Sequence, residues 1–286
     1  LALIAVPMLV PAPAARSRRG VDGPGLLAAA VLLGTLVAGV IELGHGGTVA
    51  AVVAFVVAVV ALAGLVARER STCAPLLPPD LVARPSFVGP NVGALLMNLV
   101  MNGTLFVITL DLQSVQHRSP LAAGVALLPL FVPLAVLAPV TGRLTARLGP
   151  RPVMLGGAAV AALGAVALLP AGPGHGWVTP VPALLGLGVG AALFTASSVA
   201  AALRAVPAER SGLASGVNNT ARQAGTALGV AVFAAVAGTP ADPIAFTAGI
   251  HVLALVGAGL WLLVVALTLV TVRDGRARRT WRRSTG

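Results

Sequence analysis

The feature that most constrains this chain is the rhythm of its charges. Long stretches without Asp, Glu or Arg (43–67, 85–110, 119–142, 223–241 and 243–272) alternate with short arginine clusters. About 20 mainly apolar residues of helix cross ~30 Å of hydrocarbon, so such stretches suit membrane spans. The stretch 152–203 is too long for one helix and breaks at the turn-rich run from Pro170 to Trp177. The rhythm predicts eight helices, over 25–43, 48–67, 88–111, 121–142, 153–170, 180–203, 217–238 and 247–272. Residues 1–10 read as the end of one more. Because the chain starts at Leu1 inside that apolar run, it is expected to be a fragment lacking an N-terminal part.

Composition removes the alternatives. Only 9% of the 286 residues are charged and 57% are hydrophobic, whereas a soluble domain carries ~25% charged residues to cover its surface. The net charge of +11 could suggest nucleic acid, but aromatics are 3% and Tyr is absent, so no basic stacking face exists and no nucleic-acid partner is expected. Cys73 is the single cysteine, so no intrachain disulfide is possible, and it reads as an inert thiol.

The arginines test the helix count, because short cytoplasmic loops carry the excess of basic residues. Arg16, Arg18 and Arg19 fall in one loop, Arg68, Arg70 and Arg84 in the next but one, and Arg143, Arg147 and Arg151 two loops further on. Arg204, Arg210 and Arg222 follow in the same alternation, then the tail from Arg273 to Arg283. Every arginine except Arg118 sits on one side. A missed or invented helix would scramble this pattern. The expectation is a multi-pass protein of the cell membrane, with the lipid bilayer as partner and the C-terminus cytoplasmic. Its predicted layout is a helix end (1–10), a linker (11–24), two helices (25–67), a cytoplasmic loop (68–87), a six-helix bundle (88–272) and a basic tail (273–286).

Small residues four apart, Gly89/Gly93, Gly186/Gly190 and Gly225/Gly229, allow close helix packing. Pro129, Pro133 and Pro139 all fall in one span and predict bending there.

Catalytic chemistry finds no foothold. His45, His117, His175 and His251 lack metal-ligand spacing. The run Gly212 to Gly216 is not a nucleophile elbow, and there is no phosphate-binding loop. Neither an enzyme nor a cofactor is expected. The polar residues inside spans are more telling. Asn91, Asn98, Asn102 and Thr109 recur at helical spacing, with Met97 and Met101 beside them. This stripe lines a cavity for varied apolar ligands or forms an interhelical amide contact; the spacing serves both. Asn219, Gln223 and Thr226 share a face near Arg222. Arg222 reads either as snorkelling to the inner interface or as tying two helices on the inner side. Asp111 and Glu42 stand at outer helix ends, as solvated termini or, for Asp111, as a proton-coupling group.

A resemblance then enters. The loop Gly142-Arg-Leu-Thr-Ala-Arg-Leu-Gly-Pro-Arg-Pro152 resembles the cytoplasmic signature of the major facilitator superfamily, matching at Gly142, Leu144, Arg147, Gly149 and Arg151. Ala146 stands where that signature has Asp, which removes a charge-locked gate at this loop. Residues 75–87, 112–129 and 206–231 resemble, in order, the fourteen-helix drug:H+ antiporter branch. The resemblance implies an all-α polytopic bundle: the end of helix six, two extra central helices and a complete C-terminal six-helix half. It also implies a rocking transporter with a missing N-terminal half as partner, a small-molecule substrate, and a proton gradient rather than a cofactor as driving force. On that reading Asn98, Met101, Asn102, Thr109, Asn219 and Gln223 are the cavity or inter-helix polar face. A metabolite carrier of the same fold and a non-functional fragment are the alternatives.

Overall fold

The computed structural model describes residues 22–72, 77–172, 176 and 178–273. Its regular elements are helices, and no strand occurs among the described residues. Helices α1 (Gly23–Gly44) and α2 (Thr48–Ser71) form a hairpin. A short α3 (Pro79–Val82) precedes α4 (Pro85–Leu110), which runs into a single π turn at Asp111–Val115. Then come α5 (Pro120–Ala126), α6 (Leu128–Leu148), α7 (Pro150–Val166) and α8 (Val181–Arg204). A 3₁₀ turn (Ala208–Arg210) leads into α9 (Ser211–Ala237), and α10 (Pro243–Thr271) closes the bundle. Among the described residues, seven helices are long and apolar enough to cross a bilayer. The eighth, α7, has 17 residues and sits at the short end of the spanning range. The chain is therefore an all-α polytopic membrane protein.

Local chemistry sets the helix ends. Proline occupies the first turn of α1, α4, α5, α7 and α10, where its missing N–H costs nothing. Asp22 Oδ1 accepts from the Gly25 N–H at 3.1 Å, Ser119 Oγ from Ala122 at 3.3 Å, and Asp242 Oδ1 from Ile244 and Ala245 at 3.1 Å. Gly149 joins α6 to α7 at φ +89°, a conformation that a side chain would strain.

Several helix bounds differ from the sequence expectation, among them the end of α6 at Leu148 rather than 142. The span 121–142 is two helices, α5 and α6, broken at Leu127. Pro129 donates no backbone hydrogen bond, and the ladder there tightens into three-residue turns, with Leu127 N–H reaching Gly124 O and Leu130 N–H reaching Leu127 O. Pro133 and Pro139, by contrast, stay within α6. Helix α7 ends at Val166 rather than near 170, because turns of the same short kind close its last carbonyls. Helix α9 begins at Ser211, six positions before the expected 217, because the 3₁₀ turn after Pro207 feeds straight into it.

Glycine lets the bundle helices touch at backbone level. A Cβ on Gly225 or Gly229 of α9 would overlap the carbonyl oxygens of Leu95 and Leu99 on α4. A Cβ on Gly190 of α8 would stand 2.6 Å from Gly157 O on α7, and one on Gly164 would stand 2.7 Å from Leu187 N. Trp261 of α10 packs edge-on against Phe194 of α8, with ring centroids 5.9 Å apart, and both are fully buried. A small second core, Leu81, Phe87 and Ala214, ties α3 to the starts of α4 and α9. The α1–α2 hairpin is peripheral. It meets α9 where Gly44 faces Ala235 and leaves Val49, Val59 and Val60 largely exposed, as lipid-facing side chains would be.

The hairpin is closed by Arg68 Nε donating to Asp22 Oδ1 at 2.8 Å. This bond, with the Gly25 N–H, holds the Asp22 carboxyl below the usual carboxylate range. A depressed pKa contributes stability that is present above the unfolded pKa and lost as pH falls through the folded value. Hairpin closure should therefore be constant down to about pH 4 and weaken below it, and Asp22→Asn should remove that dependence; hydrogen exchange of α1 and α2 amides against pH reads this. For the bundle, Gly229→Ala is expected to destabilise by ~1–3 kcal/mol through overpacking against Leu99, seen as a lower melting temperature in detergent, whereas Gly156→Ala, where a Cβ meets nothing within 4 Å, should be neutral.

Candidate substrate-facing polar seam

Helices α4 and α9 are adjacent in the bundle and run in the same direction, as the parallel offset of their contacts shows (Leu95 with Gly225, Leu99 with Gly229). Their closeness brings polar side chains into reach. Asn218 Nδ2 donates to Asn91 Oδ1 at 3.1 Å, and Asn102 Nδ2 donates to Thr226 Oγ1 at 3.2 Å. The Thr226 hydroxyl passes on to Arg222 O at 3.1 Å. Within α4, each amide also reaches back one turn: Asn91 to Phe87 O (2.7 Å), Asn98 to Ala94 O (3.0 Å) and Asn102 to Asn98 O (3.0 Å). The stripe predicted on α4 is thus a hydrogen-bonded seam between two helices.

The seam opens on one side. Ser215, Asn219 and Gln223 of α9 are exposed, while Arg222 and Thr226 are half-buried. The spacing 215, 219, 222, 226 with 223 places all five on one helical face. Asn98 is buried and Met101, Asn102 and Thr109 are half-buried. Met97 is buried in the core, where its sulfur accepts from Thr195 Oγ1 at 3.4 Å, so Met101 alone of the two methionines borders the open side. The Thr109 hydroxyl bonds to Leu105 O at 2.6 Å.

Arg222 lies eleven positions beyond the start of α9. The contact of Gly225 with Leu95 sets it near the level of residue 92, seven positions inside α4. Its Nε is buried and has no hydrogen-bond partner, so no bond from that nitrogen ties it to a neighbouring helix.

Asp111 is 3% exposed, not a solvated end. It opens the π turn, and Gln116 Nε2 donates to its Oδ2 at 2.7 Å while Arg118 Nε donates to Gln116 Oε1 at 3.2 Å. Such turns insert one residue into the ladder and re-aim a side chain. The lone arginine outside the basic alternation is therefore linked, through Gln116, to the one carboxylate buried in a span among the described residues. At the other end of the molecule, Gly142 and Arg147 are exposed, Leu144 is half-buried, Gly149 makes the turn, and Arg151 Nη2 donates to Leu269 O at 3.1 Å, joining α7 to the end of α10. Of the histidines, His45 caps α1, His117 has φ +52°, and His251 Nε2 lies 2.5 Å from Ala171 O, which requires the proton on Nε2. His175 and Cys73 lie outside the described residues. No cluster of three or more metal-ligating side chains occurs among the described residues. A groove between the hairpin and α9, walled by Leu26, Leu65, Leu213 and Val217, is mainly apolar, with Glu69, Arg70 and Thr220 as its polar side chains.

Asn218 was the residue sequence reasoning passed over. Its spacing of seven to Gly225 and eleven to Gly229 was the available signal, since it puts an amide on the glycine face.

The chain is a multi-pass helical bundle with a hydrogen-bonded polar seam between two of its helices. Residues 25–230 match the model of the Major Facilitator Superfamily, and the chain belongs to that family. It is 36% identical over 177 residues (61% of this chain, 32% of the relative) to the tetracenomycin C resistance and export protein of Streptomyces glaucescens. It is 33% identical over 224 residues (77% and 41%) to the multidrug resistance protein Stp of Mycobacterium tuberculosis. It is 32% identical over 256 residues (84% and 50%) to the lincomycin resistance protein of Streptomyces lincolnensis. The chain spans half or less of the length of these relatives.

The amide seam is expected to behave as coupled pairs. Asn91→Ala and Asn218→Ala should each destabilise by ~1–2 kcal/mol by leaving a buried amide unmet, with a coupling energy near 0.6 kcal/mol and no more than about 1.7. A double-mutant cycle on detergent melts measures it.

Proposed function

We propose that this chain forms the C-terminal part of a proton-driven exporter of drugs or other hydrophobic or cationic compounds, with its basic end and C-terminus on the cytoplasmic side of the cell membrane. The observation that carries the reading is the open polar face of α9, Ser215, Asn219, Arg222, Gln223 and Thr226, joined to the α4 amides. A face with a guanidinium and two exposed amides is costly against lipid, where one arginine alone costs ~2.5–3.5 kcal/mol at mid-bilayer. It fits a water-filled cavity or a second half, as in transporters whose halves enclose a site at mid-membrane and expose it alternately. Asn98, Met101, Asn102, Thr109, Asn219 and Gln223 then line the cavity: amides orient polar groups of the cargo, and the methionine thioether adapts to its apolar surface. Asp111 is the protonatable group, held by Gln116 at the end of α4. The resistance and export named in the relatives support drugs as cargo. A carrier for one anionic metabolite is the second reading, and the guanidinium of Arg222 on this face favours it.

The test uses the full-length protein containing this chain, expressed in an efflux-deficient host. Ethidium efflux that stops when the proton gradient is collapsed is expected. Asn98→Ala with Asn102→Ala should shift the substrate profile, and Asp111→Asn should slow efflux about tenfold or more, ~1.4 kcal/mol per tenfold. Unchanged transport and profile in the double variant would remove the cavity assignment.

A further inference from the structure

The α1–α2 hairpin touches the bundle at one end and parts from it at the other. At the end of α1, Gly44 lies against Ala235 of α9, where a Cβ would stand 2.9 Å from the alanine methyl. Toward the basic end the two separate. A groove of about 1060 Å³ opens there between the hairpin, α3 and the first half of α9. That volume is on the scale of a ligand pocket, ~300–1,000 Å³, rather than of a packing defect. Its α9 wall runs from Gly212 to Ala221, nine positions or about 14 Å along the axis. This is close to half of a ~30 Å hydrocarbon layer.

The α9 wall is bare. Gly212 and Gly216 both border the groove, and a Cβ on either meets nothing within 4 Å. Gly225 and Gly229 are fixed by the backbone of α4; these two serve no helix contact, although glycine weakens a helix interior. They leave room for a chain-like guest to lie on the helix backbone. Leu65, Leu213 and Val217 line the groove, and Leu26 and Val82 line it while still exposed.

The charges around the basic end sort by pairing. Arg68 is held by Asp22, and Arg210 and Arg84 share Asp80. The two charged side chains that line the groove, Glu69 and Arg70, are neighbours on the last turn of α2. Arg70 is exposed and takes part in no ion pair among the described residues. The Glu69 carboxylate takes the Leu77 N–H at 3.0 Å, and a carboxylate accepts several donors. An anionic headgroup would be repelled by Glu69, and a simple cation by Arg70. A headgroup that carries a phosphate and an ammonium a few atoms apart complements both.

We propose that this groove holds a phospholipid with a zwitterionic, primary-amine headgroup. Its phosphate sits on Arg70, whose planar fork of donors suits phosphate oxygens. Its ammonium donates to Glu69, and an acyl chain lies along Gly212 and Gly216. The lipid seats the inner end of the hairpin on the bundle by filling the space that side chains leave between α1 and α9. Its placement in the inner leaflet rests on the reading that the basic end is cytoplasmic; the binding itself does not.

The test uses the full-length protein containing this chain, purified in uncharged detergent and stripped of lipid. Phosphatidylethanolamine, phosphatidylcholine and phosphatidylglycerol with identical chains are added in turn. Native mass spectrometry counts bound lipid, and melting temperature reads its effect. Phosphatidylethanolamine is expected to bind and to raise the melting temperature by several degrees. Phosphatidylcholine, whose methylated ammonium has no N–H to donate, should bind about tenfold more weakly, as for one lost charge-assisted hydrogen bond. Glu69→Gln should bring these two lipids level, and Arg70→Gln should weaken both. Gly216→Leu should abolish binding by filling the groove, whereas Gly156→Leu, at an exposed position outside it, should keep it. Should Gly216→Leu fail to fold, the two variants on the last turn of α2 carry the test.

Equal binding of the three lipids by the parent overturns the proposal, as does preference for phosphatidylglycerol. Undiminished binding in Gly216→Leu also overturns it. A parent that binds no lipid, with Gly216→Leu destabilised, assigns the groove to a protein segment. Displacement of phosphatidylethanolamine by tetraphenylphosphonium, with stabilisation of the parent but not of Gly216→Leu, assigns it to cargo; both outcomes overturn the lipid. Ethidium efflux in an efflux-deficient host separates this inference from the exporter reading. Parental efflux without a lipid preference sinks the lipid site alone, whereas the expected lipid pattern without parental efflux sinks the exporter and leaves the site.

Discussion

The contact between the α4 and α9 backbones decides where every polar group in the bundle can go. With Gly225 and Gly229 laid on the carbonyls of Leu95 and Leu99, no side chain separates the helices. An asparagine side chain is short. It crosses from one helix to the other, as Asn218 does to Asn91, because the axes are this close. Lipid tails attract a leucine as well as a protein core does, so packing and interhelical hydrogen bonds hold such bundles together. Glycine and asparagine here are two parts of one arrangement: the first permits the approach that lets the second bond.

The same approach separates two classes of charge. At the basic end, Arg210 bonds to Asp80 at 2.8 Å and Arg84 approaches the same carboxylate at 3.5 Å, all partly exposed. Such pairs contribute little, typically under ~1 kcal/mol each, and the buried trio Leu81, Phe87 and Ala214 anchors that corner instead. Deeper in the bundle stand Asp111, buried at the end of α4, and Arg222, half-buried at mid-length on α9. The first is met by Gln116 within its own turn. The second faces outward from the bundle.

The helices themselves were legible in the sequence, because hydrocarbon thickness and arginine placement are strong, local constraints. All eight are recognisable, with bounds shifted by up to six residues and 121–142 split in two. The bends were legible only in part: three prolines shared a span, yet the break came at Leu127, where the missing N–H of Pro129 two positions on lets short turns form, while Pro133 and Pro139 continue in α6. The α4 stripe followed from spacing, but spacing could not distinguish a cavity wall from a helix contact, since both demand one face. Asn218 was legible in its spacing to the α9 glycines, whereas the burial of Asp111 was not, because it depends on one inserted residue in a turn and leaves no periodic trace. The start of α9 was set too late because a 3₁₀ turn that hydropathy does not see leads into it.

The spacing of the α9 glycines has a mechanical consequence. Leu95 and Leu99 rest in two notches four residues apart. Sliding α9 by part of a turn along α4 would bring side chains that flank the notches onto those carbonyls, so a small slip is blocked. The next position at which a glycine again meets a leucine carbonyl is a full four residues away, about 6 Å, and reaching it would part both amide contacts. The pair acts as a toothed rack with a coarse pitch. It stays engaged under small loads, and any gradual displacement in this protein must be taken up along other helix pairs while α4 and α9 travel together.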